Sequence, residues 1–192
     1  LWVLMPKDKV MDWARSSNIV GDCFSSIAEW FRLLSDCGIE PDLYLELASA
    51  LMSRKKARIG RRTEYEVIME GVLRRWYVTK PAADSKIQAP FAKFFESVIR
   101  GIDESSRCAR NELLTQLSNL ALVDKEWTFE TIVPRLSWKM GDALEFWRAA
   151  IKMTWLNWDL LQQIRRDFID SNFIWIFSII VLLVVGFVVL IV

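Results

Sequence analysis

The spacing of apolar residues along this chain is helical over most of its length. From Phe24 to Leu34 the apolar side chains recur three and four positions apart, which predicts one amphipathic helix. Pro41 opens a second helix at a favoured first-turn position, and the apolar face of that helix carries Leu43, Leu47 and Leu51. Glycine and proline are scarce, at seven and five of 192 residues, so we expect an all-α fold.

Two further helices are predicted in the middle of the chain. Thr63 can cap a helix that runs from Glu64 to about Tyr77, and Pro81 follows its end. Pro90 lies in the first turn of the next helix, whose apolar residues recur at i, i+3, i+4, i+7, i+8 and i+11. These residues are Phe91, Phe94, Phe95, Val98, Ile99 and Ile102. Their spacing is the most regular helical stripe in the chain.

The segment from Trp138 to Trp158 is apolar on nearly all of its faces. Its polar residues form only a narrow stripe, made of Asp142, Glu145, Arg148 and Lys152. A helix of this kind is normally surrounded by other helices. We therefore expect a helical bundle that is built around this segment as its central helix.

The last twenty residues contain no charge and one hydroxyl group. At about 1.5 Å per residue, a helix of this length spans roughly 30 Å, the thickness of the hydrocarbon core of a bilayer. The sequence predicts a transmembrane anchor that begins at Phe173, includes Trp175 and ends at Val192. Because the remaining segments are shorter or charged, we expect a single-pass protein. Since the span lies at the carboxyl end of the sequence, we expect it to be a tail anchor, with the bulk of the chain facing the cytosol.

These patterns divide the chain into four parts. Residues 1–62 form a helical extension with a basic linker, 63–160 a helical bundle, 161–172 a juxtamembrane stalk, and 173–192 the membrane anchor. The linker, Arg54 to Arg62, reads RKKARIGRR and contains six basic residues. We interpret it as a solvated connection, with contact to anionic lipid or to a partner as the alternative.

Composition argues against several classes of function. The chain has no histidine, the commonest general base and a frequent metal ligand, and its three cysteines lie far apart. The formal net charge of +1 provides no overall field that would attract nucleic acid. Since no phosphate-binding loop or nucleophile motif is present, we expect no catalytic residues, no metal and no cofactor. A binding or membrane-remodelling protein is the favoured class.

Two of the predicted helices resemble motifs of the Bcl family of apoptosis regulators. The segment from Glu64 to Trp76 (EYEVIMEGVLRRW) resembles the family's first helix. The segment from Phe91 to Arg107 (FAKFFESVIRGIDESSR) resembles its third homology motif, in which apolar residues enter a partner's groove and an aspartate pairs with an arginine. The residues that fall on the spacing of that motif are Phe94, Val98, Gly101 and Asp103.

The carboxyl half resembles the same family in fewer positions. Trp138 matches the tryptophan of the first homology motif, and the apolar segment and the terminal span match the family's central helix and membrane tail. Residues 137–140 read SWKM where the family has asparagine-tryptophan-glycine-arginine, and Ile102 stands where it has a glycine before the aspartate. Residues 140–144 (MGDAL) are a rival match for the third motif.

The resemblance implies a regulator of apoptosis in the outer mitochondrial membrane or the endoplasmic reticulum. Its partners would be membrane lipid and the amphipathic helices of related regulators, bound helix-in-groove within a homo- or hetero-oligomer. If this chain donates its helix, Phe94, Val98 and Asp103 carry the contact. If it accepts one, Trp138 and Leu144 line or support the groove.

A second resemblance competes over the amino half. The segments from Ile27 to Asp42 and from Glu64 to Trp76 are similar to the second and fourth helices of a death domain. This alternative implies a membrane-tethered adaptor in cell-death or innate signalling. A third alternative is a tail-anchored structural protein whose helices simply pack near the membrane.

Overall fold

A computed structural model describes residues 9, 11–12, 17–53, 63–137, 139–150, 152, 158–160 and 162–165 of this chain. Within these residues the regular structure is entirely helical, which confirms the all-α prediction. Short 3-10 turns at Leu34–Asp36 and Val133–Leu136 connect some of the helices. The helices are α1 Ser17–Leu33, α2 Pro41–Met52, α3 Glu64–Val78, α4 Ala89–Arg100, α5 Glu104–Leu114, α6 Leu117–Val123, α7 Lys125–Thr131 and α8 Ala143–Ala150.

Helix α3 lies at the centre of the described bundle and packs against α1, α2 and α5. Its start is fixed by a capping box, as the sequence predicts. The Glu66 amide donates to the Thr63 hydroxyl at 3.3 Å, and the Thr63 amide donates to the Glu66 carboxylate at 2.7 Å. Side chains on several faces of α3 are buried, and the deepest are Ile68, Met69, Val72 and Trp76.

Gly71 allows α3 to approach its neighbours closely. A Cβ atom at this position would lie 2.7 Å from the hydroxyl oxygen of Tyr44 and 3.0 Å from the Cα atom of Arg32. The same Tyr44 hydroxyl donates a hydrogen bond of 2.9 Å to the carbonyl of Phe31. This contact therefore joins α1, α2 and α3 at one point, where there is no room for a larger residue.

The expectation that the segment from Trp138 to Trp158 forms the central helix is corrected by the described residues. There it forms α8, which packs against α5 and the 3-10 turn Val133–Leu136. One face of α8 is buried, and the Trp147 indole nitrogen donates to the carbonyl of Leu136 at 2.7 Å. Leu144 and Arg148 are exposed on the opposite face, which no other helix of the described part of the chain covers.

Helix α4 begins around Pro90 and buries five of the six residues of its predicted apolar stripe. The exception is Ile102, which is 93% exposed. The helix ends at Arg100 and the backbone of Gly101 is extended, so the helical spacing no longer applies at position 102. Helix α5 starts two residues later and packs against α4.

Several predictions from the sequence lie outside the described residues. They are the basic linker Arg54 to Arg62, most of the stalk, and the membrane anchor with Phe173, Trp175 and Val192. Among the helices of the described part of the chain, none is both long and apolar enough to span a bilayer.

Candidate functional site

A groove runs along the surface between α2 and α4. It consists of two cavities of about 640 and 340 Å³, which adjoin because both are lined by Ser49, Phe94 and Ser97. The smaller cavity lies at the amino-terminal halves of the two helices and the larger one at their carboxyl-terminal halves. Each helix has 12 residues, so the groove follows roughly 18 Å of helix. We call it the α2–α4 groove.

The floor of the α2–α4 groove is apolar and its edges carry hydroxyl groups. The floor residues are buried, and they are Leu45, Met52, Tyr65, Phe94 and Val98. Three exposed serines line the sides: Ser49, Ser53 and Ser97. An apolar floor with polar edges suits a ligand that has one apolar face and one polar face.

The aromatic ring in the floor belongs to Tyr65, one residue after the start of α3. Its ring meets that of Phe24 edge to face, with the ring centres 5.8 Å apart. Burial raises the pKa of the Tyr65 hydroxyl to about 12. The hydroxyl is therefore neutral at physiological pH, and this part of the floor carries no charge.

Charged residues lie at both ends of the groove. Asp42, Glu46 and Lys93 line the end near the starts of α2 and α4. Asp103 and Glu104 line the opposite end, which we call the carboxylate end. The groove therefore has carboxylates at both ends and a lysine at only one.

Asp103 is held in place because it caps α5. Its carboxylate accepts hydrogen bonds from the Ser105 hydroxyl, from the Ser106 amide at 2.9 Å and from the Ser106 hydroxyl at 2.8 Å. These hydrogen bonds, the one from Ser105 foremost, lower the pKa of Asp103 to about 2. Its carboxylate is therefore ionised at the carboxylate end at physiological pH.

The structure brings together the four residues that match the third homology motif. Phe94, Val98, Gly101 and Asp103 all line the larger cavity, within the same wall of the groove. Phe94 is 7% exposed and Val98 only 1%, so their side chains pack into this protein's own fold. As folded, these residues form a surface that can accept a ligand, whereas donation of α4 would require it to leave its own fold.

Gly101 has a packing role at the corner between α4 and α5. A Cβ atom there would overlap the side chain of Ser106, one of the groups that hold Asp103. On the inner side of the same corner, the Arg110 guanidinium donates to the carbonyls of Val98 and Gly101. Arg110 therefore stabilises the corner that ends the groove from the interior of the protein.

Of the two residues predicted to line or support an acceptor groove, only Leu144 is described by the structure, and it lies elsewhere. Leu144 is 44% exposed on α8 and does not line either cavity. Trp138 lies outside the described residues. The opposite wall is instead provided by α2, through residues that the sequence places on a helix without indicating its neighbour: Leu45, Ser49 and Met52.

The lining of the groove combines apolar side chains with hydroxyl groups and carboxylates. Its lining in the described residues contains serines and carboxylates, but no histidine or cysteine that could form a nucleophile–base pair with them. Within the described part of the chain, no group of three or more cysteine, aspartate or glutamate side chains is placed to hold a metal ion. Burial raises the pKa of the Cys108 thiol, which disfavours a reactive thiolate there.

Comparison with known proteins identifies no relative. The chain matches no protein-family model, and searches of curated proteins and of solved structures find no significant match. The resemblances to the Bcl family and to the death domain therefore rest on the sequence motifs alone.

Proposed function

We propose that this chain regulates apoptosis at an intracellular membrane by holding an amphipathic helix of a related regulator in the α2–α4 groove. The observation that supports this proposal is the groove itself, with its buried apolar floor and open, hydroxyl-lined edges. Roughly 18 Å of groove matches about three turns of a bound helix. In such complexes the apolar face of the ligand supplies most of the affinity.

Ile102 is an exposed apolar residue next to the carboxylate end. It lies between Gly101 and Asp103, two residues that line the carboxylate end, and it is 93% exposed. Single exposed apolar residues are common on protein surfaces. Ile102 itself lines neither cavity, so its exposure does not bear on what the groove binds.

The membrane location in this proposal comes from the sequence. The charge-free segment from Phe173 to Val192 would hold the groove near a bilayer. Partners anchored in the same membrane would then meet the groove at a high effective concentration, which strengthens weak contacts. Lipid is thus the second partner of the chain.

A binding assay with a matched pair of variants tests the proposal. The full chain is placed in lipid nanodiscs, and the anisotropy of a labelled amphipathic peptide with the apolar pattern of the third homology motif is measured. The peptide has alanine at the motif's acidic position, so that its affinity reports the apolar contact alone. Wild type should bind it saturably, and replacing the peptide's central leucine with glutamate should abolish binding.

Ser97→Trp should weaken this binding at least about tenfold, because an indole would fill the groove where its two cavities adjoin. Ser26→Trp is the matched control, since Ser26 is exposed on α1 and does not line the groove. Circular dichroism should show the same helix content for both variants.

Equal affinity of the two variants would show that the peptide binds elsewhere. A folded chain that binds no peptide would refute the proposal and leave two alternatives. A death-domain adaptor would self-associate through charged surfaces and lose that association at high salt. A plain structural protein would not self-associate in this way.

A further inference from the structure

The charges that line the α2–α4 groove are mostly negative. Among the described lining residues, the carboxylates are Asp42, Glu46, Asp103 and Glu104, and Lys93 is the only basic residue. Lys93 lies at the end opposite Asp103 and Glu104. The carboxylate end therefore has two acidic side chains and no basic side chain among its described lining residues.

The nearby Arg110 does not change the sign of the carboxylate end. Its side chain is 4% exposed and lies behind the groove wall. The guanidinium donates to the Val98 and Gly101 carbonyls and lies 4.7 Å from the centre of the Phe146 ring. It also approaches the Glu145 carboxylate at 3.8 Å. These contacts hold it on the inner side, where a ligand in the groove does not reach it.

We propose that the α2–α4 groove selects helices with a basic residue facing Asp103 and Glu104. This inference rests on the proposed function and names the ligand's charge. It reverses the polarity of the Bcl resemblance, in which the ligand contributes an aspartate and the groove an arginine. An aspartate in that place here would face two carboxylates, whereas an arginine or lysine would pair with them.

The positive end of the α5 dipole opposes this negative charge only in part. Asp103 caps α5, and Glu104 is the first residue of that helix. The amino end of a helix carries the equivalent of about half a positive charge. The two carboxylates together outweigh that half charge. The capping bonds from Ser105 and Ser106 keep the Asp103 carboxylate at the groove, and a carboxylate has acceptor sites for further donors.

Three labelled peptides test the inference on the full chain in nanodiscs. They share the apolar pattern of the peptide described above and differ only at the motif's acidic position, which is alanine, aspartate or arginine. The arginine peptide should bind about tenfold more tightly than the aspartate peptide at low salt, with the alanine peptide between them. High salt should reduce the difference, because Asp103 and Glu104 are exposed.

Two variants locate the preference at the carboxylate end. Glu104→Gln removes one charge, and Asp103→Asn removes another while its amide oxygen can still cap α5. Each should reduce the preference for arginine several-fold, and the double variant should abolish it. Glu130→Gln is the matched control, because Glu130 is exposed on α7 and does not line the groove.

The outcomes separate this inference from the function on which it rests. If the alanine peptide binds but the aspartate peptide binds as well as or better than the arginine peptide, the charge inference is overturned and the groove function stands. A preference for arginine that survives the double variant would also overturn it. If none of the three peptides binds, the proposed function fails and the inference fails with it.

Discussion

Val98 contributes to the groove from a fully buried position. The sequence gives it two roles, because an apolar residue on this stripe can either face its own core or enter a partner's groove. At 1% exposure it packs within this protein, and the groove receives only a small part of its surface. Donation of α4 to a partner would therefore require this residue to leave the core of its own protein.

Val98→Glu should unfold the bundle or lower its free energy of unfolding by more than about 3 kcal/mol, because it buries a charge that has no partner. Ser97→Glu is the matched control at the adjacent exposed position, and it should leave stability within about 0.5 kcal/mol of wild type. Urea denaturation followed by circular dichroism measures both. A Val98→Glu variant as stable as wild type would contradict the burial of this residue and favour a donated helix.

Asp103 shows what residue spacing alone can and cannot predict. The sequence identifies it as an acidic residue that follows an apolar stripe, and the structure places it in the groove lining. Its hydrogen bonds to Ser105 and Ser106 make it the cap of α5, a role that the motif spacing does not indicate. The signal was present in the sequence, since an aspartate followed by serines is a common helix start.

At the scale of the elements, the sequence predicts where helices start better than it predicts which helices pack against each other. Thr63 and Pro90 give local signals, and the observed α3 and α4 begin at or within a residue of the expected positions. Within the described residues, α3 has the central position that the sequence assigns to the segment from Trp138 to Trp158, because apolar content does not reveal how many neighbours a helix has. The walls of the groove come from α2 and α4, whose pairing depends on tertiary packing and on neither helix alone.

The position of α3 in the bundle depends on a close contact at Gly71. Gly71→Ala should lower the free energy of unfolding by about 1–2 kcal/mol, because the added Cβ would lie within 3.0 Å of Arg32 Cα and press on Tyr44. Gly141→Ala is the matched control, since nothing lies within 4 Å of a Cβ there. Denaturant unfolding should show Gly141→Ala close to wild type. Equal stability of the two variants would contradict the close packing of α1 and α3.

At the scale of the whole molecule, the overall charge hides a local asymmetry. The net charge of +1 predicts no strong attraction to any class of partner. The groove nevertheless has four carboxylates and one lysine in its described lining. Composition cannot reveal this, because folding brings together residues from α2, α4 and the start of α5 that are up to about 60 positions apart in the chain.

The most direct test of the central claim is to map where a bound helix lies on the full chain. The alanine peptide, with a photoreactive diazirine in place of its central leucine, is bound to wild type in nanodiscs, crosslinked and located by mass spectrometry. The account predicts crosslinks within residues 45–53 and 94–102, on the two walls of the α2–α4 groove, and their loss in Ser97→Trp. Crosslinks concentrated on another surface, such as the exposed face of α8, would contradict it.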